Sequence, residues 1–214
     1  MSESATSICN MALARIGSKR INDYGDSSET GTSAIYCRLF YEQTAKALMR
    51  GHLWRFARGR VQLSQDSTDP AFQWEYQYIL PSDFLRHILI YDGSDLPEGR
   101  TYVSYEIEGQ RLLIDESAVY MKYIKWVESP ASWDPLFIEV LTLQLAAKLV
   151  LPIAGAGKEA LILKKDIDDE LYGSRRYGRR GLMAKVRALD RQEAEHIGRD
   201  ELRTWVDSQW SDVP

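Results

Sequence analysis

The chain has 214 residues, enough to bury a substantial core in one elaborated domain or two small ones. Apolar residues make up 44% and charged residues 27%, at a formal net charge of −4. This balance excludes a wholly disordered chain and argues against nucleic-acid coating as the main task. The longest apolar run, Pro135 to Gly155, is interrupted by Glu139, Gln144 and Lys148 and stopped by Pro152, so it reads as a buried helix rather than a bilayer span. The N-terminus lacks the basic-then-apolar pattern of a secretory signal, which implies a protein made in a cytoplasm.

In chain order, "ATSICNMALARIG" sets Ala5, Ile8, Cys9, Ala12, Leu13 and Ile16 at spacings of three and four, an amphipathic helix ended by Gly17. A Ser-, Asp- and Gly-rich loop follows. "TSAIYCRLFYEQTAKALMRGHLW" then predicts a second helix ending near Gly51. Cys9 and Cys37 fall on the apolar faces of these helices, which points to free buried thiols. From Arg58 to Val127 six short β-type runs alternate with turn residues, and Glu108-Gly109-Gln110 marks a hairpin. In the last run Val119, Met121 and Tyr123 alternate with Tyr120, Lys122 and Ile124, as in a half-buried strand.

Asp134 as cap and Pro135 at the first helical position open a third helix, apolar almost all round and so expected at the centre of a bundle. A corner at "PIAGAG" leads to a fourth helix with Ala160, Leu163, Ile167 and Leu171 as its stripe. Beyond it lie the glycine-spaced "YGSRRYGRRG", a weaker helical pattern and the "WVDSQWSDVP" end, together reading as an arm. The fold class is therefore α+β. Residues 1–57 and 129–172 form a helical bundle core, 58–128 an inserted small antiparallel β-rich unit, and 173–214 a C-terminal arm.

Reactive groupings are sparse. His52, His87 and His196 stand in different elements without metal-ligand spacing, and Gly157-Lys158 lacks the glycine and the Ser or Thr of a phosphate loop. Asp166, Asp168, Asp169 and Glu170 read as a solvated helix face, and Trp74, Tyr76, Tyr78 and Phe84 as packing of the β-rich unit or contact with a protein neighbour. No catalytic, cofactor or metal residue is assigned, and no reaction is expected. Charge is zoned. Arg15 to Arg60 carries nine bases against four acids, Val61 to Pro135 five against thirteen, and Tyr172 onward nine against seven. Opposed zones suit contact with a copy of the chain or a layered partner. The Arg/Tyr run could clamp a nucleic-acid backbone, order against a protein, or be a plain loop.

The strings "ICNMALARIG", "CRLFYEQTAKALMRGHLWRFA", "YILPSDFLR" and "WDPLFIEVLTLQLAAKLVLPIAG", in this order and spacing, resemble the tail tubular protein A family. This family comprises head-to-tail adaptors, or gatekeepers, of short-tailed, T7-like phages and their prophages. The resemblance covers about Ser4 to Gly173, with Trp54 and Phe56 matching the aromatic pair after the second helix and Pro81 and Asp83 the turn of "LPSDF". It implies a helical bundle with a β-rich insertion, assembled as a ring of about twelve copies beneath the portal protein. The ring joins portal to tail nozzle and helps retain packaged DNA, which passes through the lumen without specific binding. It also implies a place at the head-tail junction of the virion, with no membrane partner. The arm beyond Gly173 lies outside the resemblance. Arg175, Arg176, Tyr177, Arg179 and Arg180 are its candidate portal contacts. The alternatives are a DNA-binding module using the same basic arm, or the neck adaptor of a long-tailed phage.

Overall fold

In the computed structural model, residues 3–92, 104–174 and 178–194 are described. The chain is α+β, with five α-helices, two small antiparallel sheets and one two-stranded hairpin in the described residues. α1 (Ala5–Arg15) starts from Ser4, whose hydroxyl accepts from the Ser7 N–H while the Ser7 hydroxyl accepts from the Ser4 N–H. α2 (Thr32–Gly51) ends where the sequence places its end. The loop between them is held by Asn10, whose side chain exchanges two hydrogen bonds with the Ile21 backbone at 2.8 and 3.0 Å.

α3 (Pro135–Ala154) is capped by the Asp134 carboxylate, which accepts from the Leu136 N–H at 2.7 Å. By length and composition α3 could cross a membrane, so its polar interruptions and Pro152 do not by themselves exclude a bilayer span. Burial identifies it as a core helix: eleven of its twenty residues are buried, and it contacts α1, α2, α4 (Lys158–Tyr172) and α5 (Leu182–Ala194). Pro152 does not stop it. The missing N–H falls in the last turn, and Gly155 still donates to Leu151 at 3.0 Å.

Between α2 and α3 lie seven strands in two sheets: β1 (Arg58–Gln62), β7 (Tyr120–Lys125) and β4 (Phe84–Tyr91) in the first, and β2 (Ser64–Gln65), β3 (Tyr76–Ile79), β6 (Arg111–Ile114) and β5 (Tyr105–Glu108) in the second. The predicted run "RVQLSQ" divides at Leu63, which is buried as the chain passes from one sheet to the other, so a single antiparallel unit becomes two stacked layers. The predicted hairpin is present as the β5–β6 pair, with Glu108 opposite Arg111.

Two apolar cores result. The larger fills the bundle, and the smaller, with Leu63, Tyr78, Ile90, Leu112, Ile114 and Met121, lies between the sheets. β7 belongs to both. Met121 and Tyr123 enter the small core, whereas Ile124, fully buried, enters the large one. β4 does the same through two register shifts, so that Leu85 and Ile88 reach the bundle and Ile90 the sheets.

Gly59 sits beneath the ring of Tyr123. A Cβ there would lie 2.9 Å from the ring edge. The ring is buried and tethered, so it has nowhere to go. Gly59→Ala is expected to lower stability by about 1–3 kcal/mol through overpacking, measured as a shift in the urea midpoint at unchanged slope.

Candidate functional site

The sequence-predicted residues form structural nodes and one surface hairpin. Trp54 is buried after α2, and its indole N–H donates to the Leu48 carbonyl at 3.1 Å, one of the last-turn acceptors that a helix end leaves open. Its ring meets Phe137 edge-on at 5.0 Å, and Phe56 meets the same ring at 5.1 Å. This aromatic pair therefore fixes the exit of α2 on the first turns of α3. Pro81 and Asp83 shape the entry to β4. The Pro81 carbonyl accepts from the Phe84 N–H at 3.0 Å, the Asp83 carbonyl from the Trp126 N–H at 2.7 Å, and the Asp83 carboxylate from the Tyr123 hydroxyl at 3.0 Å. Burial and the Asp83 carboxylate push the Tyr123 phenol up to about 12, so it remains a donor over the physiological range.

The arginine run leaves the end of α4. Gly173 and Ser174 (β8) pair antiparallel with Arg180 and Arg179 (β9), making a short hairpin. Of the candidate portal contacts, Arg175, Arg176 and Tyr177 lie outside the described residues; Arg179 is placed by its backbone pairing, and Arg180 is exposed. Gly181 closes the hairpin against α4. A Cβ at this position would lie 2.3 Å from the backbone of Tyr172 and Gly173, so no larger residue fits without moving the chain. That approach lets α5 fold back, with Val186 buried and Leu182 and Met183 against the bundle. The reading of everything after Tyr172 as an arm is corrected to this extent: α5 packs on the bundle through Leu182, Met183 and Val186, its apolar stripe.

The histidines stay apart. His52 caps α2 against Trp54, His87 lies on β4 with its Nε2 2.9 Å from the Tyr105 hydroxyl, and His196 is outside the described residues. Among the described residues no three His, Cys, Asp or Glu side chains could hold a metal ion. Cys9 and Cys37 are free, buried and in contact. The hydrogen bond to Cys37, with burial, raises the Cys9 thiol far above its ordinary range and keeps it protonated. Tyr78 is buried in the small core and Tyr76 and Phe84 pack against that core, whereas Trp74 is half-buried and belongs to neither core. In α4, Asp168 accepts from Lys164 at 2.6 Å and Glu170 from Arg15 at 3.4 Å, both at the surface. A surface groove of about 750 Å³ runs between α1 and the start of α3 over Met11, Trp133 and Ile138, with the buried Thr142 hydroxyl at its base and without a partner among the described residues.

Charge is where the sequence misled. The zone read as acidic on balance supplies β4 and β7 to a cationic sheet: β1, β4 and β7 carry Arg58, Arg60, Arg86, Lys122 and Lys125 and no Asp or Glu. β1 comes from the end of the basic zone, and antiparallel pairing sets it beside lysines some sixty positions away, Arg60 facing Lys122. The alternation in the last β-type run set Lys122 on the face opposite Met121 and Tyr123; the missing knowledge was its neighbour. The carboxylates gather on the other sheet and in the loops, Glu106 and Glu108 being on β5.

The chain matches no known family model and no curated protein sequence.

His87 supplies a pH test. Burial first, then Arg86 and Arg50, hold its pKa below the ordinary value, so the folded chain binds the proton less tightly than the unfolded one. The stability tied to neutral His87 is full above about pH 6.5 and is lost as pH falls through the lowered value. His87→Asn should therefore cost more stability near pH 7.5 than near pH 5, compared by urea denaturation of both proteins at each pH.

Proposed function

We propose that the chain is a structural subunit of the head-to-tail junction of a phage virion. It is an adaptor, or gatekeeper, that forms a ring between portal and tail nozzle and helps retain packaged DNA. The observation that carries this reading is architectural. A bundle closed around one apolar helix is interrupted once, between α2 and α3, by a β-rich unit. That element order is the one implied by the resemblance of the sequence to tail tubular protein A. Trp54 and Phe56 act in it as the brace of α2 on α3, and Pro81 and Asp83 as the joint between β4 and β7.

In this reading the chain catalyses no reaction and needs no cofactor. Its partners are further copies of itself, the portal protein and the nozzle protein, with DNA passing through the lumen without specific binding. The hairpin Gly173–Arg180 is the portal contact: Arg175, Arg176, Tyr177, Arg179 and Arg180 meet an acidic surface. An exposed ion pair contributes only about 0–1 kcal/mol, so attachment depends on several arginines acting together. The docked Gly181 and α5 hold the base of the hairpin in place.

Electron microscopy of the protein mixed with portal rings from the same genome tests the assignment. A second ring stacked coaxially on the portal is expected, and portals that stay bare would overturn it. Replacing Arg175, Arg176, Arg179 and Arg180 by alanine should weaken attachment while leaving the monomer folded, as followed by co-sedimentation with portals and by circular dichroism. Attachment equal to wild type would remove the hairpin from the portal contact.

A further inference from the structure

The two sheets enclose the small core between them, so each has an inner and an outer face. In β7 Met121 and Tyr123 point inward, and Tyr120 and Lys122 therefore point outward. The register extends that outer face to Arg60 and Gln62 on β1 and to Leu89 and Tyr91 on β4. Tyr91 and Tyr120 stand opposite each other and are exposed. Arg60 stands directly opposite Lys122, a like-charge pair that weakens the ladder it sits on. Among the described residues no ion pair relieves it. The three strands contain no carboxylate, and among the described residues neither side chain has an ion-pair partner. Partial burial, followed by Arg60 and Arg58, holds the Lys122 ammonium below its ordinary pKa, the response of a cation lacking an anion.

The second sheet presents the complement. Tyr78, Leu112 and Ile107 face inward, which turns Glu106 and Glu108 of β5 outward, on the same face as Ile79 of β3, an isoleucine 51% exposed. Arg111 on that face is already committed to Asp66 at 2.7 Å, so it does not neutralise the two glutamates. One β-rich unit thus carries a cationic outer face with exposed tyrosines and, on its other side, an acidic outer face with an exposed isoleucine.

We propose that these two faces bind each other between copies of this chain, the Arg60, Lys122, Tyr91 and Tyr120 face of one subunit on the Glu106, Glu108 and Ile79 face of the next. The proposal rests on the reading of the chain as a ring subunit and names the contact that would build the ring. Because the two patches differ, the contact is head-to-tail, and it propagates until the rotation closes. Opposed potentials would also orient the encounter. A nucleic-acid strand could use the tyrosines and cations of the first face, but the acidic face of the same unit and the net charge of −4 oppose a phosphate backbone. A second copy satisfies both faces at once.

The test is self-association of the full chain by sedimentation velocity at about 50 mM and about 500 mM salt, repeated on portal rings if the free protein is monomeric. Arg60→Glu with Lys122→Glu makes both outer faces acidic; Glu106→Lys with Glu108→Lys makes both basic. Each double variant alone should associate on the order of a hundredfold more weakly than wild type, because like charges then meet across the contact. An equimolar mixture of the two should associate again, since every acidic face then finds a basic one. Circular dichroism checks that both variants remain folded. Variants that associate like wild type would overturn the contact and leave the ring reading intact. Wild-type protein that neither self-associates nor decorates portals would overturn both. Loss of DNA binding in the Arg60→Glu, Lys122→Glu variant, with self-association unchanged, would assign the cationic face to nucleic acid instead.

Discussion

The molecule is organised around a helix that is apolar almost all round. Eleven of the twenty residues of α3 are buried, and each fully buried large aliphatic side chain contributes about 1.5–3 kcal/mol. Exposing four or five of them would cost about 6–15 kcal/mol, as much as the entire net stability of an ordinary domain. The other four helices are therefore placed by what α3 requires. α1 and α2 cover it from the first part of the chain, α4 returns along it, and α5 closes part of what remains. Trp54, Phe56 and Trp133 fill the space where α2 gives way to the strands and α3 begins, with Phe137 as their common partner.

The β-rich unit is joined to this bundle by shared strands rather than by a linker. β7 sends Ile124 into the large core and Met121 and Tyr123 into the small one, and β4 uses register shifts to do likewise. Asp83 binds the two strands where they leave the bundle, by backbone to Trp126 and by carboxylate to Tyr123. Arg50 at the end of α2 adds a further tie, its guanidinium donating to the Leu85 carbonyl.

The helices were legible in the sequence because each has a local cause: three- and four-residue spacing in α1 and α4, Asp134 and Pro135 at the start of α3, and Gly51 at the end of α2. The strands were legible as runs but not as layers. Nothing in "RVQLSQ" shows that Leu63 will carry the chain from one sheet to the other, since that choice is made by a core assembled from β3, β4, β6 and β7. Summed charge over a segment hid the cationic sheet for the same reason: the sum follows chain order, whereas Arg60 and Lys122 become neighbours only through pairing. The role of Gly181 was equally hidden, because its lack of a side chain matters only once α5 folds back onto the end of α4.

A strand shared by two cores has a mechanical consequence. Load applied to the β-rich unit reaches the bundle along β7 and β4, parallel to the strands, so that many backbone hydrogen bonds resist it together instead of opening one by one. The joint has no free linker in which to bend. A subunit built this way would pass a push at one end to the other as a stiff strut, and its two cores would yield together.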